Sequence, residues 1–270
     1  MQTQFNIIIA LFFLASFSYQ AEPFTGTDLQ SLNRISSPVL SVEGKYVVYA
    51  SKKWNKVTGK SATNLYYTEV STGKQTVLTP AIEGQTDSSP TFSKSFPNHI
   101  IFMRSNSEVK STLFYMKFPP SETDEPQQLT SYPVNIVDFK LSSNTLVFSA
   151  NVYFNCTTLQ CSADQIAEEK THTWQTYDRL LMFHWDEWLV QGKGSHLHVQ
   201  KLKLNKETNA IELDGAVRNI NYGMELNTPR CSQTTRTTLF QMTVQWLHSV
   251  LIIEHTMKHG TQAGKHTLLI

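Results

Sequence analysis

Between residues 37 and 148 the chain alternates short apolar runs with turn-forming residues. The three-to-four spacing of an amphipathic helix is almost absent there. Tyr46-Val47-Val48-Tyr49 is rich in aromatic and β-branched residues, as a half-buried strand should be. Glu43-Gly44 just before it marks a tight hairpin, because glycine accepts a positive φ without steric cost. Asn64-Leu65-Tyr66-Tyr67 reads as the next strand, Ser71-Thr72-Gly73 as a second turn and Val77-Leu78-Thr79 as a further strand. The one stretch with helical character is polar, Ser162 to Lys170, and predicts a short surface helix.

This pattern recurs. Ser37-Pro38 through Leu78-Thr79 is followed by Ser89-Pro90-Thr91-Phe92-Ser93, His99 to Phe102, Thr112 to Tyr115 and Gln128-Leu129-Thr130. A third unit opens at Val137 to Ser142 and continues with Thr145 to Phe148. Four short strands per unit of roughly 50 residues is the signature of a propeller blade. A sandwich also has many short strands, but it does not repeat its own sequence. The expected fold is therefore all-β, an incomplete β-propeller of about three to four blades of four-stranded antiparallel sheet.

The first residues differ from the rest. Ile7 to Phe17 is apolar but for Ser16, too short to span a bilayer and the right length for a signal-peptide core. Cleavage after Ala21 or after Ser18 fits the small residues there, although no Lys or Arg precedes the run. Residues 1–21 are thus expected to be a signal peptide, with the mature chain in the secretory lumen or outside the cell and no membrane attachment after cleavage. Cysteine usage agrees with that compartment. Cys156 and Cys161 can close a small disulfide loop, and Asn155-Cys156-Thr157 is an acceptor pattern for glycosylation at Asn155, which the loop could hinder. Lys+Arg totals 23 and Asp+Glu 22, a balance that speaks against a nucleic-acid partner.

The residues also bring a family into view. Arg34 to Tyr49, Thr86 to Ser93, and above all Tyr177-Asp178-Arg179-Leu180, His184-Trp185-Asp186-Glu187-Trp188, Gly192-Lys193 and Ser195-His196-Leu197 form a series. It resembles prolyl-oligopeptidase-type serine peptidases, in the branch holding secreted dipeptidyl-peptidases and acylaminoacyl-peptidases. The resemblance covers residues 24–229. It implies an N-terminal propeller that restricts access to an α/β-hydrolase domain, where the Ser, Asp and His triad resides. No G-x-S-x-G nucleophile turn occurs in the sequence, so no catalytic residue is assigned. The chain departs from the family pattern at Val42-Glu43, where Pro-Asp is usual, and at Lys94 to Asn98, which replaces a short glycine turn. The functional expectation is the N-terminal propeller of a secreted serine peptidase, truncated and inactive as written; peptide substrates then apply only with a hydrolase domain downstream. The alternative is a non-catalytic propeller that binds a peptide or protein partner. No carboxylate pair supports a glycosidase.

Residues 230–270 lose the blade punctuation: eight Thr, four His, no Pro and Glu254 as the only acid. They read as a frameshifted or mispredicted segment, a divergent final blade being the other reading, and Cys231 falls within them. His255 and His259 have the spacing of a helical metal pair but lack the glutamate after the first histidine, so no metal and no cofactor is expected. His184, Trp185, Asp186 and Trp188 form a candidate cluster, ligand-facing or, as blade packing favours, buried between blades. His196 and His198 alternate on one strand and share a face. Asp87 and Asp178 read as turn or cap residues. Glu168-Glu169 could hold a peptide amino terminus, with no recognition pattern to align them.

Overall fold

The computed structural model describes residues 23–106, 110–174, 176–178, 183–184, 187–188 and 190–225. Residues 1–21, expected to be a signal peptide, the tail from residue 226 onward with Cys231, His255 and His259, and Trp185 and Asp186 lie outside the described residues.

After a short helix, α1 (Gly26–Ser31), come two successive antiparallel meanders. The first is β1 (Arg34–Leu40), β2 (Tyr46–Trp54), β3 (Ser61–Glu69) and β4 (Gln75–Val77). The second is β5 (Thr86–Phe92), β6 (His99–Ser105), β7 (Thr112–Lys117) and β8 (Gln127–Gln128). A single parallel rung, Thr63 to Thr86, joins them. The third sheet is β9 (Ile136–Ser142), β10 (Thr145–Tyr153), β13 (Lys193–Leu204) and β14 (Ile211–Asn219). Its order is β9-β10-β13-β14, and the β10–β13 connection carries α2 (Leu159–Glu169) and a hairpin of β11 (Phe183–His184) with β12 (Glu187–Trp188). Among the described residues there are three four-stranded blades and no ring closure. This is the incomplete propeller that the sequence repeat predicts.

The repeat is visible in backbone detail. Ser37 and Ser89, the residues before Pro38 and Pro90, both sit at positive φ, 51° and 53°. Each lies in the bulge that interrupts its first ladder, between Ser36 and Val39 in one blade and between Ser88 and Thr91 in the next. The Leu-Thr pair that ends each unit also has one job twice. The Leu65 N–H donates to the Thr79 hydroxyl and the Leu113 N–H to the Thr130 hydroxyl, each at 3.0 Å. Both threonines are buried, so their side chains replace a ladder partner where β4 and β8 leave the sheet. Gly44 has φ +73° and turns the chain between β1 and β2.

The cores lie between consecutive blades. Val48, Ala50, Leu65, Ile100, Phe102 and Phe118 fill the first interface. Ile101, Leu113, Phe139, Leu146, Phe148 and Leu202 fill the second. Strand alternation explains the division: Ile100 and Phe102 point toward the first blade, Ile101 toward the third. The irregular Lys94 to Asn98 turn joins in through Phe96, which is 2% exposed within the second interface. The surface helix is longer than the polar pattern shows. It starts at Leu159, because Thr158 caps it by accepting the Cys161 N–H, and buried Leu159 anchors it on the blade.

Asp87 corrects the sequence expectation of a turn or cap residue. It lies inside the β5–β6 ladder opposite Arg104, fully buried, and accepts two guanidinium hydrogen bonds at 2.7 and 2.8 Å. The same guanidinium stands 4.6 Å above the Phe114 ring.

Candidate functional site

The insertion between β10 and β13 frames a cavity of about 330 Å³. It is lined by Gln165, Glu168 and Glu169 from the last turns of α2 and by Tyr153 at the end of β10. His172, Trp174 and Tyr177, with Gln191 before β13, also line it.

Two carboxylates share this site and differ in state. Glu169 is half-buried and already paired: Lys193 donates to it at 2.8 Å and the Tyr153 hydroxyl at 3.2 Å. Burial, and then the nearby Glu169 and Glu168 charges, push the Tyr153 phenol up to about 12, so it stays protonated and remains a donor. Glu168 is exposed and has no side-chain partner among the described residues. The lining therefore keeps one uncompensated negative charge. Trp174, 65% exposed, stacks on His172 with ring centres 5.1 Å apart and planes 7° from parallel. A carboxylate beside an aromatic face is suited to an ammonium group, by charge and by cation–π attraction.

Cys156 and Cys161 are bonded, S–S 2.04 Å, and fasten the first turn of α2 to the end of β10. Asn155 is exposed beside this bridge. Of the candidate cluster, His184 and Trp188 lie on the small hairpin, which pairs Phe183 with Trp188 and His184 with Glu187. Trp188 is 63% exposed and tilts against Tyr177, 6.0 Å between ring centres. It does not fill a blade interface, because the hairpin stands outside the third sheet. Asp178 is exposed and accepts from Gln191.

His196 and His198 share a face of β13 and are both buried. His196 stacks on Phe154 and is held at both ring nitrogens, by the Met224 carbonyl at 3.1 Å and the Asn219 side chain at 3.1 Å. His198 stacks on Phe148, and its Nδ1 is buried without a partner. Burial pushes the His198 imidazole down to about 4. These histidines are neutral packing groups. Tyr153, Gln165 and Trp174 belong to no motif that marks them as site residues in the sequence. Lys193 was within the family-like series, but only the fold shows that it neutralises Glu169.

No family model matches the sequence, and no curated protein does. Similar solved structures include the acylaminoacyl peptidase of Pyrococcus horikoshii, at 15% identity and a TM-score of 0.44, over 69% of this chain and 25% of that one. The AtxE2 isopeptidase is similar at 16% identity and 0.46, over 73% and 32%. The β-propeller domain of the Trilobed protease from Pyrococcus furiosus is similar at 14% and 0.34, over 70% and 57%. This chain thus spans about a quarter of the first protein and a third of the second. The blade architecture itself rests on the strand pairing described above.

Proposed function

We propose that this chain is the N-terminal propeller part of a secreted, dipeptidyl-peptidase-like serine peptidase of the prolyl-oligopeptidase type. Its role in that protein is to receive the amino terminus of a peptide. No G-x-S-x-G turn occurs in the sequence, so the role assigned to these residues is peptide binding. One observation carries the reading. Tyr177 and Gln191 of the family-like series line one cavity with Glu168 and Glu169 of α2, and Lys193 of the same series pairs with Glu169. Lys193 neutralises Glu169 and leaves Glu168 for the ligand, which fits one ammonium group. The apolar run at residues 7–17 and the Cys156–Cys161 bridge support a secretory route.

The test is titration calorimetry on the full chain with a dipeptide bearing a free amino terminus and with its N-acetylated counterpart. Only the free amine should bind, and Glu168→Gln should weaken it about tenfold, the loss of a charge-assisted bond. Equal binding of the acetylated peptide refutes the site. The peptidase assignment is tested separately by sequencing the transcript across codons 225 to 270 and beyond. Blade repeats followed by G-x-S-x-G in a shifted frame would support it. A transcript ending as written would leave a peptide-binding propeller without a hydrolase.

A further inference from the structure

A second cavity, of about 210 Å³, lies at the far end of the first blade and has the opposite electrostatic character. Arg34 of β1 and Lys52 of β2 are direct partners across the antiparallel ladder, so their side chains leave the same face of the sheet. Trp54 is two residues beyond Lys52 and shares that face, and its own ladder partner is Ser61. Gln30 and Leu32, from α1 and the residue that follows it, also line the cavity.

Two like charges directly opposite on neighbouring strands destabilise a sheet. The fold does not require them. The Ser-Ser-Pro bulges place Thr86 of β5 at the position equivalent to Arg34, and its ladder partner is Ser105. Blade 2 therefore fills the same rung with two small neutral hydroxyl residues. Nor is the pair compensated: neither Arg34 nor Lys52 has an acidic partner among the described residues. The acids in the adjoining segments are committed elsewhere. Glu83 accepts from Asn55 at 2.5 Å and from Thr58 at 3.0 Å, and Asp28 caps α1 through Thr25. A local rule is broken with no internal gain, in a concavity that also offers a half-buried indole, a hydroxyl and an amide.

We infer that the Arg34–Lys52 rung is a binding site for an oxyanion group, a carboxylate or a phosphoryl, held by the two cations with Trp54 as the apolar wall. Arg34 supplies the forked donor set that matches either oxyanion, and Lys52 adds a point charge beside it. This site is separate from the ammonium cavity of the third blade and does not depend on the peptidase reading.

The experiment titrates the full chain, at low ionic strength, with inorganic phosphate and in parallel with succinate, against chloride at matched ionic strength. Indole fluorescence is the readout, with Trp54→Phe identifying the responding tryptophan. Phosphate or succinate should saturate the signal where chloride does not, and the tighter of the two names the oxyanion. Arg34→Gln and Lys52→Gln should each weaken binding about five- to tenfold, while Glu168→Gln leaves it unchanged. Both cations are exposed, so these variants should fold, which circular dichroism checks. A response that chloride reproduces, or binding that survives both substitutions, overturns the inference.

Discussion

The Asp87–Arg104 pair offers the sharpest stability test. Its carboxylate is fully buried at the first blade interface and its guanidinium side chain is 18% exposed, with two hydrogen bonds and ring contacts on Phe114 and Phe102. Removing one member of a buried pair strands the other charge, at a cost of about 3–5 kcal/mol. The two partners should not be equal. Asp87→Asn leaves a guanidinium that still reaches water and still stacks on Phe114, so about 3 kcal/mol is expected. Arg104→Met leaves a carboxylate with no route to solvent, so the loss should approach about 5 kcal/mol. The double change Asp87→Leu with Arg104→Met removes both charges and should recover most of that loss. Urea unfolding of the full chain followed by circular dichroism gives all the corners of the cycle. Two outcomes would refute the reasoning: single variants that cost less than about 1 kcal/mol, or a double variant whose loss equals the sum.

Acid should weaken the third blade. The folded imidazole of His198 titrates near 4, below the usual 6.5, so its stabilising contribution is full above pH 6.5 and is lost as pH falls toward 4. That difference corresponds to about 3 kcal/mol at most, and His196 and His99 are shifted in the same direction by burial. Unfolding midpoints measured between pH 7 and 4 should fall steeply in the parent and less so in His198→Asn. Reducing the Cys156–Cys161 bridge, which closes a short loop, should cost about 2 kcal/mol and raise hydrogen exchange in α2 rather than in the first two blades. Ile35, Leu40 and Val42 lie exposed on or beside the edge strand β1, with Leu29 and Leu32 of the α1 region also exposed, so the chain made alone should self-associate with rising concentration. Ile35→Lys should reduce that association in sedimentation velocity runs, and an unchanged profile would place the sticky surface elsewhere.

The blades were legible because their determinants are local and repeated. Ser-Ser-Pro specifies a bulge, Glu43-Gly44 a turn and Leu-Thr the exit from the sheet, and each is a short-range instruction readable without the fold. Asp87 was not legible, because its role depends on a strand partner 17 residues away. The same holds at the cavity by α2. Glu168-Glu169 is visible as an acidic pair, but which member remains unpaired and available depends on Lys193, 24 residues from Glu169. The polar surface of α2 was clear from its composition, while its start was hidden because Thr158 reads as part of an acceptor-rich loop until the Cys161 N–H is seen bonded to it.

These two kinds of determinant separate scaffold from chemistry. Where the units repeat, a residue is explained by its counterpart: Thr79 by Thr130, Ser37 by Ser89. Departures from the repeat need another cause. Asp87 and Arg104 depart and are satisfied by each other, so packing explains them. The β10–β13 insertion departs and leaves Glu168 unpaired beside exposed Trp174, and the first blade departs and leaves Arg34 facing Lys52. In both places the sequence abandons the pattern that the fold needs, and no compensating interaction within the described residues takes its place. In the proposed readings a ligand of opposite charge supplies that compensation: an ammonium at the insertion, an oxyanion on the first blade. Propeller folds concentrate binding in such irregular additions because the regular strands are already committed to one another. Giving the first blade its repeat-like rung, Arg34→Thr with Lys52→Ser, and neutralising the insertion's unpaired carboxylate, Glu168→Gln, should therefore each leave the unfolding free energy within about 0.5 kcal/mol of the parent while removing the respective binding signals. A large loss of stability from any of them would return that residue to the scaffold.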